Sequence, residues 1–232
     1  MKKVGIIFAM QEELLALKEY LILEKEYKIF NLTFYEVKIN NKDCVLVQSG
    51  IGKVNAARAT QILIDNEKID CIFNIGVAGG ISSSLKVGDI VLGEELVQHD
   101  FDITAFNHAK GYIPGVGTSI YSDKSLLGIC SEVLQEEQIG YKSGIIASGD
   151  IFCTESWMSN KINKKFNALC VEMEGASIAQ VCYLCGIPFV VIRSISDVPN
   201  NDNVVTYKEF LSSSCKVVAT VMNKILGKIG KE

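Results

Sequence analysis

VEMEGASIAQVCYLCGIPFVVIRSISD, residues 171 to 197, decides how this chain is read. Glu172 and Glu174 end one apolar run. A helix of small residues follows, from Gly175 to Leu184. A second apolar run, Pro188 to Ile192, carries Arg193 and ends at Asp197. Charge at the carboxyl ends of two very apolar strands marks an open α/β sheet, in which ligands bind outside those ends. Solvated strand ends with no function would carry charges there too, so other groups are needed to separate the two readings.

Working outward, the same alternation continues. Lys3 to Phe8 reads as a buried strand. Gln11 to Leu23 reads as an amphipathic helix with Leu14, Leu17 and Leu21 on one face. Its first turn holds Glu12 and Glu13, which either complement the helix dipole or face the strand end. Residues 28 to 49 form alternating runs around Asn40-Asn41, an antiparallel hairpin. SGIGKVNAARAT is a glycine-bracketed turn into a helix. Its spacing does not fit a GxxxxGK[ST] phosphate loop, because Val54 follows Lys53. CIFNIGVAGG reads as a strand entering a glycine turn, Gly76 to Gly80, and does not fit GxGxxG. Its glycines let backbone approach a ligand closely. Val87 to His99 reads as a strand. A long loop with Asp100, Asp102, Thr104, Phe106, Tyr112 and Pro114 follows, of the length that serves as a lid or an interface. Lys124 to Glu137 is a helix, and Tyr141 to Asp150 a strand. Ser156 to Phe166 is a helix with a cap at its start, and Asn167 to Glu174 a strand. A last helix, capped by Thr206, runs to about Lys228 with Phe210, Val217, Val218, Val221 and Ile225 inward. The expected fold is one domain over residues 1–232, a three-layer α/β/α sandwich around a central mixed β-sheet.

Composition sets bounds. Of 232 residues, 48% are hydrophobic and 22% charged, enough for a full core. Net charge is −4 with no basic block, so nucleic acid and anionic membranes are not expected partners. MKKVGIIFAM opens like a signal peptide, but its apolar run is short and leads into Gln11, Glu12 and Glu13. With no run long enough to span a membrane, the expected location is the cytoplasm. Most of the eight cysteines sit inside apolar runs, as reduced buried thiols do. Cys182 and Cys185 form a CxxC that no second pair completes, which reads as a core helix face. With only His99 and His108 in the chain, no His-based metal site is expected, and neither metal nor cofactor is implied.

Four charged groups end apolar runs or open the helix after one: Glu13, Glu174, Arg193 and Asp197. Arg193 lies inside an apolar strand, where an unpaired charge is very costly. Glu174 and Glu13 are its candidate partners. Carboxylates without a Ser-His nucleophile suit acid–base hydrolysis of a glycosidic bond, one group protonating the leaving group and another activating water.

Six motifs in order, GIIFAMQEE, SGIGKVNAA, NIGVAGG, SGDIF, VEMEGAS and RSISD, make the chain resemble 5′-methylthioadenosine/S-adenosylhomocysteine nucleosidases of the nucleoside phosphorylase superfamily. The resemblance runs from residue 3 to the last helix. It implies hydrolysis of those two nucleosides, and of 5′-deoxyadenosine, in methionine salvage and removal of methyl-cycle by-products. It also implies roles. Glu13 is the base that activates water. Asp197 is the acid at adenine N7 and reads the amino group. Glu174 holds the ribose hydroxyls over Met173. Phe152 stacks on adenine and the Cys153 backbone bonds its edge. Arg193 helps place the water and Glu13. Met10, Ile51, Ala78 and Gly79 line the pocket. The family is dimeric, and Phe106 and Pro114 match positions that reach the neighbour's site. Two departures stand out: Val77 where many members carry serine, and Gln11 where some carry an acid.

Three rivals remain. A phosphorylase needs a cationic cradle for phosphate, and this chain has two arginines, Arg58 and Arg193. A hydrolase of 6-amino-6-deoxyfutalosine would differ only at the 5′ group. A non-catalytic nucleoside-binding protein would lack Glu13 or Asp197, and both are present.

Overall fold

The computed structural model describes residues 3–198 and 203–229; Lys2 of the signal-like opening lies outside them. The first half runs β1 (Lys3–Phe8), α1 (Gln11–Leu17), β2 (Leu21–Ile29), β3 (Leu32–Ile39), β4 (Lys42–Gln48), α2 (Lys53–Asn66), β5 (Cys71–Gly80) and β6 (Ile90–Gln98). The second half runs β7 (Ile120–Tyr121), α3 (Lys124–Glu136), β8 (Tyr141–Ser148), α4 (Ser156–Phe166), β9 (Ala168–Glu172), α5 (Gly175–Cys185), β10 (Phe189–Asp197) and α6 (Asn203–Lys228).

All strands join one mixed sheet. β1 lies parallel between β4 and β5, and β10 lies parallel to β5 and antiparallel to β6. Strands buried on both faces read as continuous apolar runs, and every residue of β10 is buried. One apolar core lies between the sheet and α1, α3 and α6; a second lies under α2 and α5. These are the three expected layers. The sheet also does more than lie flat. β6 pairs β8, β8 pairs β9, and β9 returns to β5 through Gly79 and Gly80, so five strands close into a ring. The carboxyl ends of β1, β5 and β10 therefore open on one shared side.

Local chemistry explains most boundaries. Asn40 and Asn41 both have positive φ, at 48° and 61°, as a two-residue hairpin turn demands. The expected helix over 11–23 is too long. α1 stops at Leu17, where the Tyr20 N–H closes on the Leu17 carbonyl, and Leu21 opens an edge strand paired to β3. β5 continues as a strand through Gly76 to Gly80 rather than turning there, paired with β10 from Ile72 to Gly79 and with β9 at Gly79 and Gly80. α6 starts at Asn203, so Thr206 lies within it, and Phe210 faces outward at 41% exposure. α4 starts behind Glu155 with no side-chain cap bond. In α5 Cys182 is buried, but Cys185 is exposed because the helix ends there at left-handed Gly186.

Candidate active site

A cleft opens at the shared carboxyl ends. Met10, Glu13, Ile51, Val77, Ala78, Gly79, Phe152, Cys153, Met173, Glu174 and Asp197, all singled out in the sequence, line it. Segments far apart in the chain thus meet, because parallel strands deliver their ends to one place. Among the described residues, no group of three or more His, Cys, Asp or Glu side chains is placed to hold a metal ion.

Glu13 is fixed by its own neighbourhood. It sits in the first turn of α1, and its Oε2 accepts the N–H groups of Ala9 at 2.8 Å and Met10 at 2.9 Å. This local loop turns a helix-opening acid back onto the end of β1. Its other oxygen lies against Gly76: a Cβ there would stand 2.6 Å from Oε1 and 3.5 Å from Arg193 Nη1. Only a glycine allows that approach. Burial raises the Glu13 pKa, against the lowering pull of the Met10 N–H, Arg193, and the Ala9 and Val77 N–H groups. Val77 thus bears on Glu13 through its backbone N–H rather than through its side chain.

Arg193 does not line the cleft. It is 2% exposed in the layer beneath. Its partner is Glu172, not Glu174 or Glu13: Nη2 bonds Glu172 Oε2 and Asn74 Oδ1, and Nη1 donates to the Ile192 carbonyl at 3.0 Å. Glu172 also accepts the Ser148 hydroxyl and the N–H groups of Glu174 at 3.1 Å and Gly175 at 2.7 Å. Four donors on the Glu172 carboxylate tie the buried ion pair into one network beneath the cleft, although Arg193 Nε finds no acceptor among the described residues. Glu172, which in the sequence only ends an apolar run, here orients Glu174 and neutralises Arg193.

Glu174 precedes the first residue of α5 and accepts the Gly52 N–H at 2.8 Å. Burial, with Glu172 beside it, pushes its carboxyl up to about 7. Asp197 ends β10 and is 2% exposed. Its Oδ1 accepts the Ser196 hydroxyl at 2.8 Å, and Oδ2 lies over Gly79, 3.3 Å from where a Cβ would be. Phe152 is half exposed and meets the edge of Tyr207 at 5.5 Å between centroids and 75° between planes. The Tyr207 hydroxyl donates to Met10 Sδ at 3.3 Å. Tyr207, Ser196, Ile151, Val171 and Ala9 also line the cleft and were missed in the sequence. Ser196 and Ala9 adjoin named residues, whereas nothing local marks Tyr207, an aromatic in the first turns of α6. Phe106 and Pro114 are not part of the lining of this cleft, and Phe106 is 75% exposed.

An acidic floor under an apolar, aromatic rim suits a neutral or cationic ligand with a flat base and hydroxyls. Comparison with known proteins agrees. The model of the phosphorylase superfamily matches residues 3–228. A 5′-methylthioadenosine/S-adenosylhomocysteine nucleosidase of Haemophilus influenzae is 40% identical over 230 residues, 99% of each chain. The chain belongs to the 5′-methylthioadenosine/S-adenosylhomocysteine nucleosidase family. Two solved structures show how far the likeness extends. The nucleosidase of that family from Neisseria meningitidis, in complex with methylthio-immucillin-A, superposes with a TM-score of 0.95 at 37% identity, over 99% of this chain and 100% of the other. A futalosine hydrolase of Helicobacter pylori superposes equally well, TM-score 0.95 at 34% identity over 98% of each chain. The family's enzymes are N-ribosyl hydrolases, and the fold is theirs throughout.

Proposed function

We propose that the cleft hydrolyses the N-glycosidic bond of 5′-methylthioadenosine and S-adenosylhomocysteine, and of 5′-deoxyadenosine, releasing adenine and the 5′-substituted ribose. The carrying observation is the state of the cations. The buried guanidinium beside Glu13 is already neutralised by Glu172, and the cleft floor is otherwise carboxylate. Phosphate would find repulsion there; water finds a base.

In the reaction, Glu13 takes a proton from water held above Gly76. Asp197, carrying a proton at the start, gives it to adenine N7 as the bond breaks. The ribose gains oxocarbenium character, and the anionic Glu13 and Glu174 stabilise it. Glu174 also holds the 2′- and 3′-hydroxyls, with Met173 beneath the sugar. Phe152 stacks on the base, and the Cys153 backbone bonds its edge. Arg193 acts through Glu13 rather than by touching substrate. Met10, Ile51, Val77, Ala78 and Gly79 complete the wall. Two chains pair so that Phe106 and Pro114 of each cover the other's 5′ group; the exposure of Phe106 supports this. The enzyme works in the cytoplasm, in methionine salvage and the clearance of methyl-cycle by-products.

The test is adenine release from 5′-methylthioadenosine in phosphate-free buffer, then with phosphate added. Unchanged release establishes a hydrolase. Release only with phosphate overturns the role of Glu13. Running 6-amino-6-deoxyfutalosine in parallel ranks the second substrate suggested by the Helicobacter pylori likeness.

A further inference from the structure

Away from the reacting groups, three hydrogen bonds form a closed ring. The Lys53 N–H donates to Asp150 Oδ1 at 2.8 Å. The Asp150 N–H donates to Asp100 Oδ2 at 2.9 Å. The Lys53 ammonium returns to Asp100 Oδ1 at 2.6 Å, with a further bond to Gln98 Oε1 at 3.1 Å. The ring joins three segments that share no sequence. Lys53 is the first residue of α2, directly after Ile51 and Gly52. Asp150 directly precedes Ile151, Phe152 and Cys153. Asp100 opens the long loop that carries Phe106 and Pro114.

Two of these segments bear walls of the cleft, and the ring sits behind them. The 149–155 segment forms neither helix nor strand, so it needs tertiary bonds to hold Phe152 in place. On the other side, Gly52 gives its N–H to Glu174. Its φ of +100° is one only glycine adopts easily, and a Cβ there would stand 3.1 Å from Asp150 Oδ1. The turn that holds Glu174 is therefore packed on the carboxylate that holds Lys53. The side chains of Lys53 and Asp100 are 17% and 20% exposed. Burial pushes the Asp100 carboxyl up, but the Lys53 ammonium and the Asp150 N–H outweigh it and keep it below its ordinary value.

We infer that Lys53 is a positioning residue: with Asp100 and Asp150 it sets the distance between the ribose-side wall at Gly52 and the base-side wall at Phe152, without touching substrate. The inference rests on the nucleosidase reading above. A lysine needed only for the fold would change stability and leave binding alone. A lysine that spaces two walls should act on binding of the base and the nucleoside, in ground and transition states alike.

The experiment compares Lys53→Met, Lys53→Arg, Asp100→Asn and the Lys53→Met/Asp100→Asn pair with the parent. The readouts are KM and kcat for 5′-methylthioadenosine, the dissociation constant of adenine by calorimetry, and the melting temperature. Lys53→Met should raise KM and the adenine dissociation constant together, by about tenfold, with kcat within about threefold. Because the pair is partly exposed, its loss should move the melting temperature little. Lys53→Arg should recover part of the affinity, and the double variant should be no worse than the worse single one. Adenine affinity and KM within about twofold of the parent would overturn the inference. So would a collapse of kcat at constant KM. If Lys53→Met does not fold, Asp100→Asn carries the same expectation, and unchanged affinity in that variant overturns the inference equally. A parent that releases no adenine refutes the nucleosidase reading instead, and the adenine dissociation constants still decide the ring.

Discussion

At pH 8 the Glu174 carboxyl is ionised in a site that leaves it 8% exposed beside Glu172. Its pKa rises from 4.5 to about 7 on folding. A raised carboxyl contributes stability that is full below pH 4.5 and lost as pH climbs through 7, because the folded chain holds the proton more tightly than the unfolded one. The shift corresponds to about 3 kcal/mol at pH 8. Glu174→Gln keeps an oxygen for the Gly52 N–H and removes the charge. It should therefore raise the free energy of unfolding by up to about 3 kcal/mol at pH 8, and by less than about 1 kcal/mol at pH 5. Urea unfolding followed by circular dichroism at both pH values measures this. The same variant should lose at least about a hundredfold in kcat/KM, since an amide stabilises an oxocarbenium ion poorly. A variant that is destabilised at pH 8, or stabilised equally at both pH values, would refute the argument that burial beside Glu172 strains this carboxyl.

Four further outcomes follow from the geometry. In the parent, kcat/KM should rise with pH through an acid limb near 7, as the free enzyme's Glu174 ionises; a profile flat from pH 5 to 8 would remove Glu174 from the reaction. Glu13→Gln should cut kcat by at least about 10³-fold while nucleoside binding measured by calorimetry persists; loss of the fold would make Glu13 structural. Asp197→Asn should likewise stop turnover, and an active variant would remove Asp197 as the acid. Gly76→Ala should cost about a hundredfold in kcat, because the new methyl would stand on Glu13 Oε1 and push the carboxylate off the Ala9 and Met10 N–H groups that hold it; full activity would mean that Glu13 does not work from this position.

Sequence carries the strands of this fold better than its edges. β1, β9 and β10 are apolar on both faces and read as strands without ambiguity. β2 is exposed along much of its length, so a leucine at 21 continues the helical spacing of Leu14 and Leu17 and hides the strand. The glycines of β5 read as a turn because their reason is tertiary: Glu13 lies on Gly76 and Asp197 on Gly79. The charged candidates were legible because charge at the end of an apolar run, or just past it, is conspicuous, while their roles are what the family resemblance implies. The partner of Arg193 was not, since the choice among Glu13, Glu172 and Glu174 depends on how β9 and β10 face each other across the ring of strands. Tyr207 left no local trace: an aromatic early in a long helix looks like any other until the helix is docked.

The closed ring of strands has a consequence for synthesis. Among the described residues β10 is made after every other strand, yet it fills the place between β5 and β6. While the ribosome has not yet delivered residues 189–197, both older strands present bare apolar edges, the kind that pair with other chains. Asp197 arrives with the same segment. The nascent chain thus acquires the last carboxylate of its cleft and seals its adhesive edges with one segment.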